Sequence, residues 1–141
     1  MINTLPGITA SSAALNAERV RLDVVAQNIA NAEITRGPDG HPYQRQVVVF
    51  QSVLDQTQQA AGILAQSVNV AKIESDPRPP RLIYNPGHPD ADAQGMVAMP
   101  DINVHEEMAD LLTASRAYEA NLAVVRNARS IAMQTLSISK H

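Results

Sequence analysis

At 141 residues the chain has the length of one domain, and less than one compact domain if part of it is extended. Its net charge of −3, its pI near 5.7 and a charged share of only 18% argue against electrostatic capture of nucleic acid or an anionic membrane, which needs clustered Lys and Arg. The absence of cysteine excludes disulfides, thiolate metal sites and thiol catalysis, and no apolar run approaches the roughly 18 residues that span a bilayer.

The N-terminus carries no Lys or Arg before Arg19 and no apolar stretch of the kind a cleaved secretory signal needs, so none is expected. Asn3-Thr4-Leu5-Pro6 reads as a helix start, with Thr4 as cap and Pro6 tolerated in the first turn. From there Ile8, Leu15, Leu22 and Ile29 fall seven residues apart, and Val25 and Ala32 occupy the second position of the same heptad. Ser11 and Glu18 stand at that second position where Leu would pack better. The pattern predicts an amphipathic helix of roughly 25 residues, about 40 Å long, whose thin stripe makes it marginal alone.

The middle has a different composition. Thr35 to Pro42 is dense in turn residues, and the β-branched run Gln46-Val47-Val48-Val49-Phe50 reads as a strand. Gln56 to Gly62 is polar and small, an expected flexible excursion. Val68, Val70 and Ile73 suggest a second strand and Leu82-Ile83-Tyr84 a short third, joined by the stiff Asp76-Pro77-Arg78-Pro79-Pro80. A turn follows at Asn85 to Pro89, and Met96 to Pro100 leads into the last segment. His88-Pro89-Asp90-Ala91-Asp92 is the cluster with metal-ligand residue types, and a metal-dependent hydrolase built on it is the enzymatic alternative. Pro86, Gly87 and Pro89 around it favour a tight turn with exposed acids, and no motif here carries catalysis, a cofactor or a bound metal.

From Ile102 to Ser139 neither Pro nor Gly occurs, which predicts a helix of roughly 38 residues, about 55 Å long. Met108, Leu111, Ser115, Tyr118, Leu122, Val125, Ala132 and Leu136 recur at alternating steps of three and four, with Leu112 beside them and Arg129 the charge in the series. Asn103 can cap the start with Glu106 reaching back to it, and Glu106, Glu107 and Asp110 suit the positive end of the helix dipole. Helices at both ends favour an antiparallel hairpin that sets Leu22 near Leu122 and Ile29 near Ser115. In that register Glu18 comes within about a turn of Arg126 and Arg129 and can pair with them within or between copies, unless all three face solvent.

The expected fold is mainly α with a small β insert: an antiparallel N- and C-terminal helix pair, a coiled-coil hairpin, plus a short β-rich middle region. Residues 1–33 form the N-terminal helix unit, 34–100 the β-rich insert with loops, and 101–141 the C-terminal helix unit. A single Phe, no Trp and abundant Ala at both ends favour close helix-on-helix packing, in part against other chains. A cytosolic coiled-coil adaptor is the alternative of that kind and would fold or dimerise stably alone.

Ala14 to Arg19 and Ala26-Gln27-Asn28-Ile29-Ala30-Asn31-Ala32 resemble the N-terminal signature of the bacterial flagellar axial (rod and hook) proteins. Met99 to Val104, Glu107-Met108 and Ala114-Ser115-Arg116-Ala117-Tyr118-Glu119-Ala120-Asn121 resemble the matching C-terminal signature. Asn28, Asn31, Asn103, Glu107, Met108, Arg116, Tyr118, Ala120 and Asn121 are its signature residues here. Gly37 to Tyr43 and Tyr84 to Asp92 are similar to the proximal-rod members in particular, whose inserts are short. The resemblance implies a non-enzymatic structural subunit of the flagellar basal-body rod in the periplasm, without cofactor, nucleic acid or membrane insertion. Its implied partners are other copies, other flagellar rod proteins and the type III export apparatus, which takes such chains through without a cleaved signal. Weak isolated helices would suit a chain exported unfolded, and a purified monomer is expected to have loosely ordered ends.

Overall fold

The computed structural model describes residues 6–54 and 66–138, so the Thr4 cap and the Gln56–Gly62 excursion lie outside the described residues. Helix α1 runs Pro6–Ala30, with Pro6 at its first position, where the missing N–H costs nothing. It ends in a turn in which the Asn31 backbone N–H and side-chain Nδ2 both donate to the Gln27 carbonyl, at 3.0 and 2.8 Å. Helix α2, Val104–Ile138, is 35 residues long against 25 for α1, about 52 against 37 Å. Asn103 caps it by accepting from the His105 amide at 3.1 Å, and Glu106 reaches back to the Asn103 side-chain amide at 3.0 Å.

Between the helices lie two antiparallel ribbons. Strands β1 (Gln46–Leu54) and β2 (Gln66–Ser75) pair as a hairpin with a bulge beside Val49 and Phe50, where Ala71 is the extra residue. Strands β3 (Arg81–Tyr84) and β4 (Met96–Met99) form the second ribbon. The expectation had Met96 to Pro100 merely leading into the last helix. Its alternation is too short to signal a strand, and it becomes one because the turn before it folds the chain back onto β3. In that turn Asp92 Oδ1 accepts from the Gln94 and Met96 amides, each at 2.8 Å. Gly95 takes a φ of 76°, open to glycine at no steric cost, and lets the Tyr84 ring and Pro86 close over it.

Helix α1 packs on α2 along one side and on the β1–β2 hairpin along another. Among the described residues the buried apolar set is small: Ala17, Val24, Val25, Ala32, Val97, Ile102 and Ala114. The helix pair is antiparallel, but its register differs from the expected one. Contacts of Asn28 with Glu107 and of Arg21 with Asp110 set residues 21–28 of α1 against the first turns of α2, not against Ser115 to Leu122.

The stripes are also rotated by one position. On α2 the inward line is Glu107, Leu111, Ala114, Tyr118, Asn121, Val125, Ala128 and Ala132. Leu111, Tyr118, Val125 and Ala132 are half-buried along this line. Met108 is exposed instead, Ser115 and Leu122 are half-buried flank, and Leu112, Arg129 and Leu136 are exposed. On α1, Val25 and Ala32 are buried, while Ile8, Leu15, Leu22 and Ile29 are half-buried flank beside the buried Ala17, Val24 and Asn28. The rotation has a simple cause. Small and polar residues occupy the closest helix–helix approach, and an apolar count gives them no weight.

Candidate functional site

Among the described residues two buried side chains are polar, Asn28 and Glu107, each only 1% exposed. Groups of this kind persist in a protein interior when every donor and acceptor is matched. Asn28 Nδ2 donates to Glu107 Oε2 at 3.0 Å and to the Gln46 carbonyl at 2.9 Å. Its Oδ1 accepts from the Gln46 amide at 2.9 Å and from the Tyr43 hydroxyl at 3.1 Å. Asn28 therefore closes the first residue of β1 onto the end of α1, as an additional strand residue would.

Glu107 is held from the other side. Arg45 Nε donates to Glu107 Oε1 at 2.7 Å and its guanidinium approaches the same oxygen at 2.6 Å. Arg45 then faces Asp76 at 3.6 Å, while the Asp76 amide donates to the Arg45 carbonyl at 2.7 Å. Arg78 binds Asp76 at 2.8 Å and Asp101 at 3.1 Å. Five charges of alternating sign, Glu107, Arg45, Asp76, Arg78 and Asp101, thus join the two ends of the β1–β2 hairpin to the start of α2. The hydrogen bond from Arg78 is the main cause that holds the Asp76 carboxyl below its ordinary value, and Asp76 in return raises Arg78. Burial, with Glu107 adding to it, raises the Tyr43 hydroxyl.

This polar clasp is the feature that sequence reading missed. From the sequence, Asn28 and Glu107 are signature residues and Glu107 an acid suited to the helix dipole. Nothing assigned a role to Tyr43, Arg45, Gln46, Asp76, Arg78 or Asp101. One signal was present: Asn28 falls three residues after Val25 on the inward face of α1, where an apolar residue is the default. Beside the clasp lies an open cleft of about 350 Å³, whose lining includes Val25, Val48, Phe50, Arg21 and Asp110.

The other expected site residues are placed as follows. Asn31 and Asn103 serve helix ends, and Asn121 Nδ2 donates to the Ala117 carbonyl at 3.0 Å. Arg116 and Ala120 are exposed. Glu18 lies 4.0 Å from Arg21 on its own helix, and its Oε2 is buried without a hydrogen-bond partner. Arg126 and Arg129 are exposed, and among the described residues neither pairs with Glu18. The expected ion pair within one copy is therefore not made, because the register sets Glu18 short of both arginines. In the His88–Asp92 turn the acids are engaged elsewhere. Asp90 accepts from Thr35 at 2.8 Å and pairs with Arg36 at 3.1 Å, and Asp92 caps the turn before β4.

Comparison with known proteins agrees with the sequence signatures at both ends. Residues 8–38 match the family described as flagella basal body rod protein, and residues 93–138 the flagellar basal body rod FlgEFG protein C-terminal family. The chain is 42% identical to the flagellar basal-body rod protein FlgC of Yersinia enterocolitica over 92% of its own length and 93% of that protein's. It is 39% identical to FlgC of Borreliella burgdorferi, covering 93% and 94% of the two chains, and 35% identical to FlgC of Bacillus subtilis, covering 94% and 96%. With both terminal signatures and nearly the whole length shared, the chain belongs to the FlgC family of flagellar basal-body rod proteins, structural subunits of the rod.

Proposed function

We propose that this chain is one stave of the proximal rod: copies of it and other rod proteins surround the export channel as a helical tube that transmits torque across the periplasm. Residues 1–33 and 101–141 supply the wall of the tube, and residues 34–100 brace adjacent subunits. The chain reaches this site through the flagellar type III export apparatus without a cleaved signal. In the assembled tube, Ile8, Leu15, Leu22, Ile29, Met108, Leu112 and Leu122 lie between subunits, flanking the seam of Val25, Leu111, Tyr118, Val125 and Ala132.

The observation that carries this reading is Leu136. It follows Ala132 by about one turn on the last part of α2, beyond the stretch that α1 covers, and is 63% exposed. From the two contacts that set the register, Pro6 lies opposite about residue 127, leaving about 16 Å of α2 without a helix partner among the described residues. Ile131 and Ile138, 62% and 75% exposed, lie on the same free end. A helix stripe of this kind is stable only when another surface covers it.

Expression of Leu136→Asp in a bacterium lacking its own FlgC tests the reading. The expected result is secretion without rod assembly and therefore no swimming. Normal swimming by cells carrying this variant would overturn the assignment of the free end to subunit packing.

A further inference from the structure

The repeat of the heptad lines gives the helix pair a second geometrically possible register. Sliding the pair by about three turns brings Leu22 beside Leu122 and Pro6 beside Ile138. That slide would cover Leu136 and the rest of the free end with the chain's own α1. It would also bring Arg126 and Arg129 to Glu18, whose buried Oε2 has no hydrogen-bond partner in the observed register. The slide exchanges cover at the first turns of α2 for cover at its last turns, and charge pairing along the helices favours the register that is not adopted.

What opposes the slide is the clasp. Asn28 meets Glu107 at 3.0 Å across the two helices, and each is bound in turn to the start of the insert through Gln46 and Arg45. Sliding would pull the Glu107 carboxylate and the Asn28 amide off all these partners while both remain inside the protein. Buried polar pairs that add little net stability are known to select one helix register over others.

We propose that Asn28, Glu107 and Arg45 are register-determining residues: they hold α1 in a position that leaves the apolar end of α2 uncovered for the next subunit. The clasp thereby keeps the chain from satisfying its own assembly surface. This inference rests on the rod reading for the purpose of the free end, but the register itself is a property of the isolated chain.

The chain has no cysteine, so nitroxide labels go only where they are placed. Ser12 and Ala123 are both exposed. In the observed register they are level to within about a turn, and in the slid register they separate by about 14 Å along the axis. The distance between labels at Ser12→Cys and Ala123→Cys is measured by pulsed electron resonance on three purified full-length backgrounds. The unmodified clasp and Glu107→Gln, which keeps acceptor and amide at the same site, should both give the short distance. Asn28→Leu with Glu107→Leu, which removes the polar pair without leaving a lone charge from it, should give the long one with helical content retained. A short distance in the double variant overturns the proposal. Loss of helical content in it does so too, since the clasp would then supply stability rather than choice of register. Motility is read separately: cells with the unmodified chain swim if the rod reading holds, whatever the label distances show.

Discussion

Asn28 and Glu107 show how much a single pair of side chains decides. Truncating one partner strands the other, so Glu107→Ala should cost about 3 kcal/mol, read as a lowered urea midpoint of the purified chain. Tyr43→Phe removes one of several bonds to Asn28 and should cost about 1 kcal/mol in the same assay. The flanking charges also set the response to pH. Asp76, held below its ordinary value of 3.8 by Arg78, binds a proton less readily folded than unfolded. Its contribution is present at neutral pH and is lost as pH falls through the region below 3.8; Asp76→Asn should flatten that acid limb of the stability curve. Tyr43, raised above 10.0 by burial, contributes below that pH and loses its contribution as alkali ionises it, so Tyr43→Phe should flatten the alkaline limb.

At the scale of elements, the two halves of α2 differ in what holds them. The first half is anchored by the cap, the clasp and α1, whereas the last turns have α1 on neither side. The clasp and α1 narrow the loosely ordered ends expected of the monomer to the last turns of α2, so hydrogen exchange on the dilute chain should show protection falling along α2, from slow before about residue 125 to fast beyond it. Uniform protection would contradict the picture of a free end. The β3–β4 ribbon depends on a different local device. A Cβ at Gly95 would meet Tyr84 Cε2 at 3.0 Å and Pro86 Cβ at 3.1 Å in a backbone of φ 76°. Gly95→Ala should lower stability by about 1–2 kcal/mol in thermal unfolding, with the helices otherwise unchanged.

For the whole molecule, the small buried core and the long uncovered helix describe a chain whose structure is completed by neighbours. Ordering a residue costs on the order of 1–2 kcal/mol of backbone entropy, and the free end of α2 offsets little of that by contacts within the chain. Assembly into a rod would supply the missing burial, at about 1.5–3 kcal/mol for each large apolar side chain fully covered. Leu122→Asp places a charge on the half-buried flank of α2. It should leave the helicity of the purified chain within experimental error but abolish swimming, measured on soft agar; normal spreading would remove that flank from the assembly surface.

The sequence by itself determined the order of elements, the two long helices with a β-containing insert between them, the cap at Asn103 and membership of the flagellar axial proteins. These depend on local periodicity, on Pro and Gly positions and on signature residues, all of which act within a few turns of the chain. It also showed that α2 is longer than α1, so a surplus surface was legible from the start. Only the tertiary structure decided the register of the helix pair, the inward face of each stripe and the pairing of β4. The physical reason is that apolar periodicity leaves several registers nearly equal in energy. The choice falls to Asn28, Arg45 and Glu107, residues from three separate segments whose hydrogen bonds exist only once the chain has brought them together.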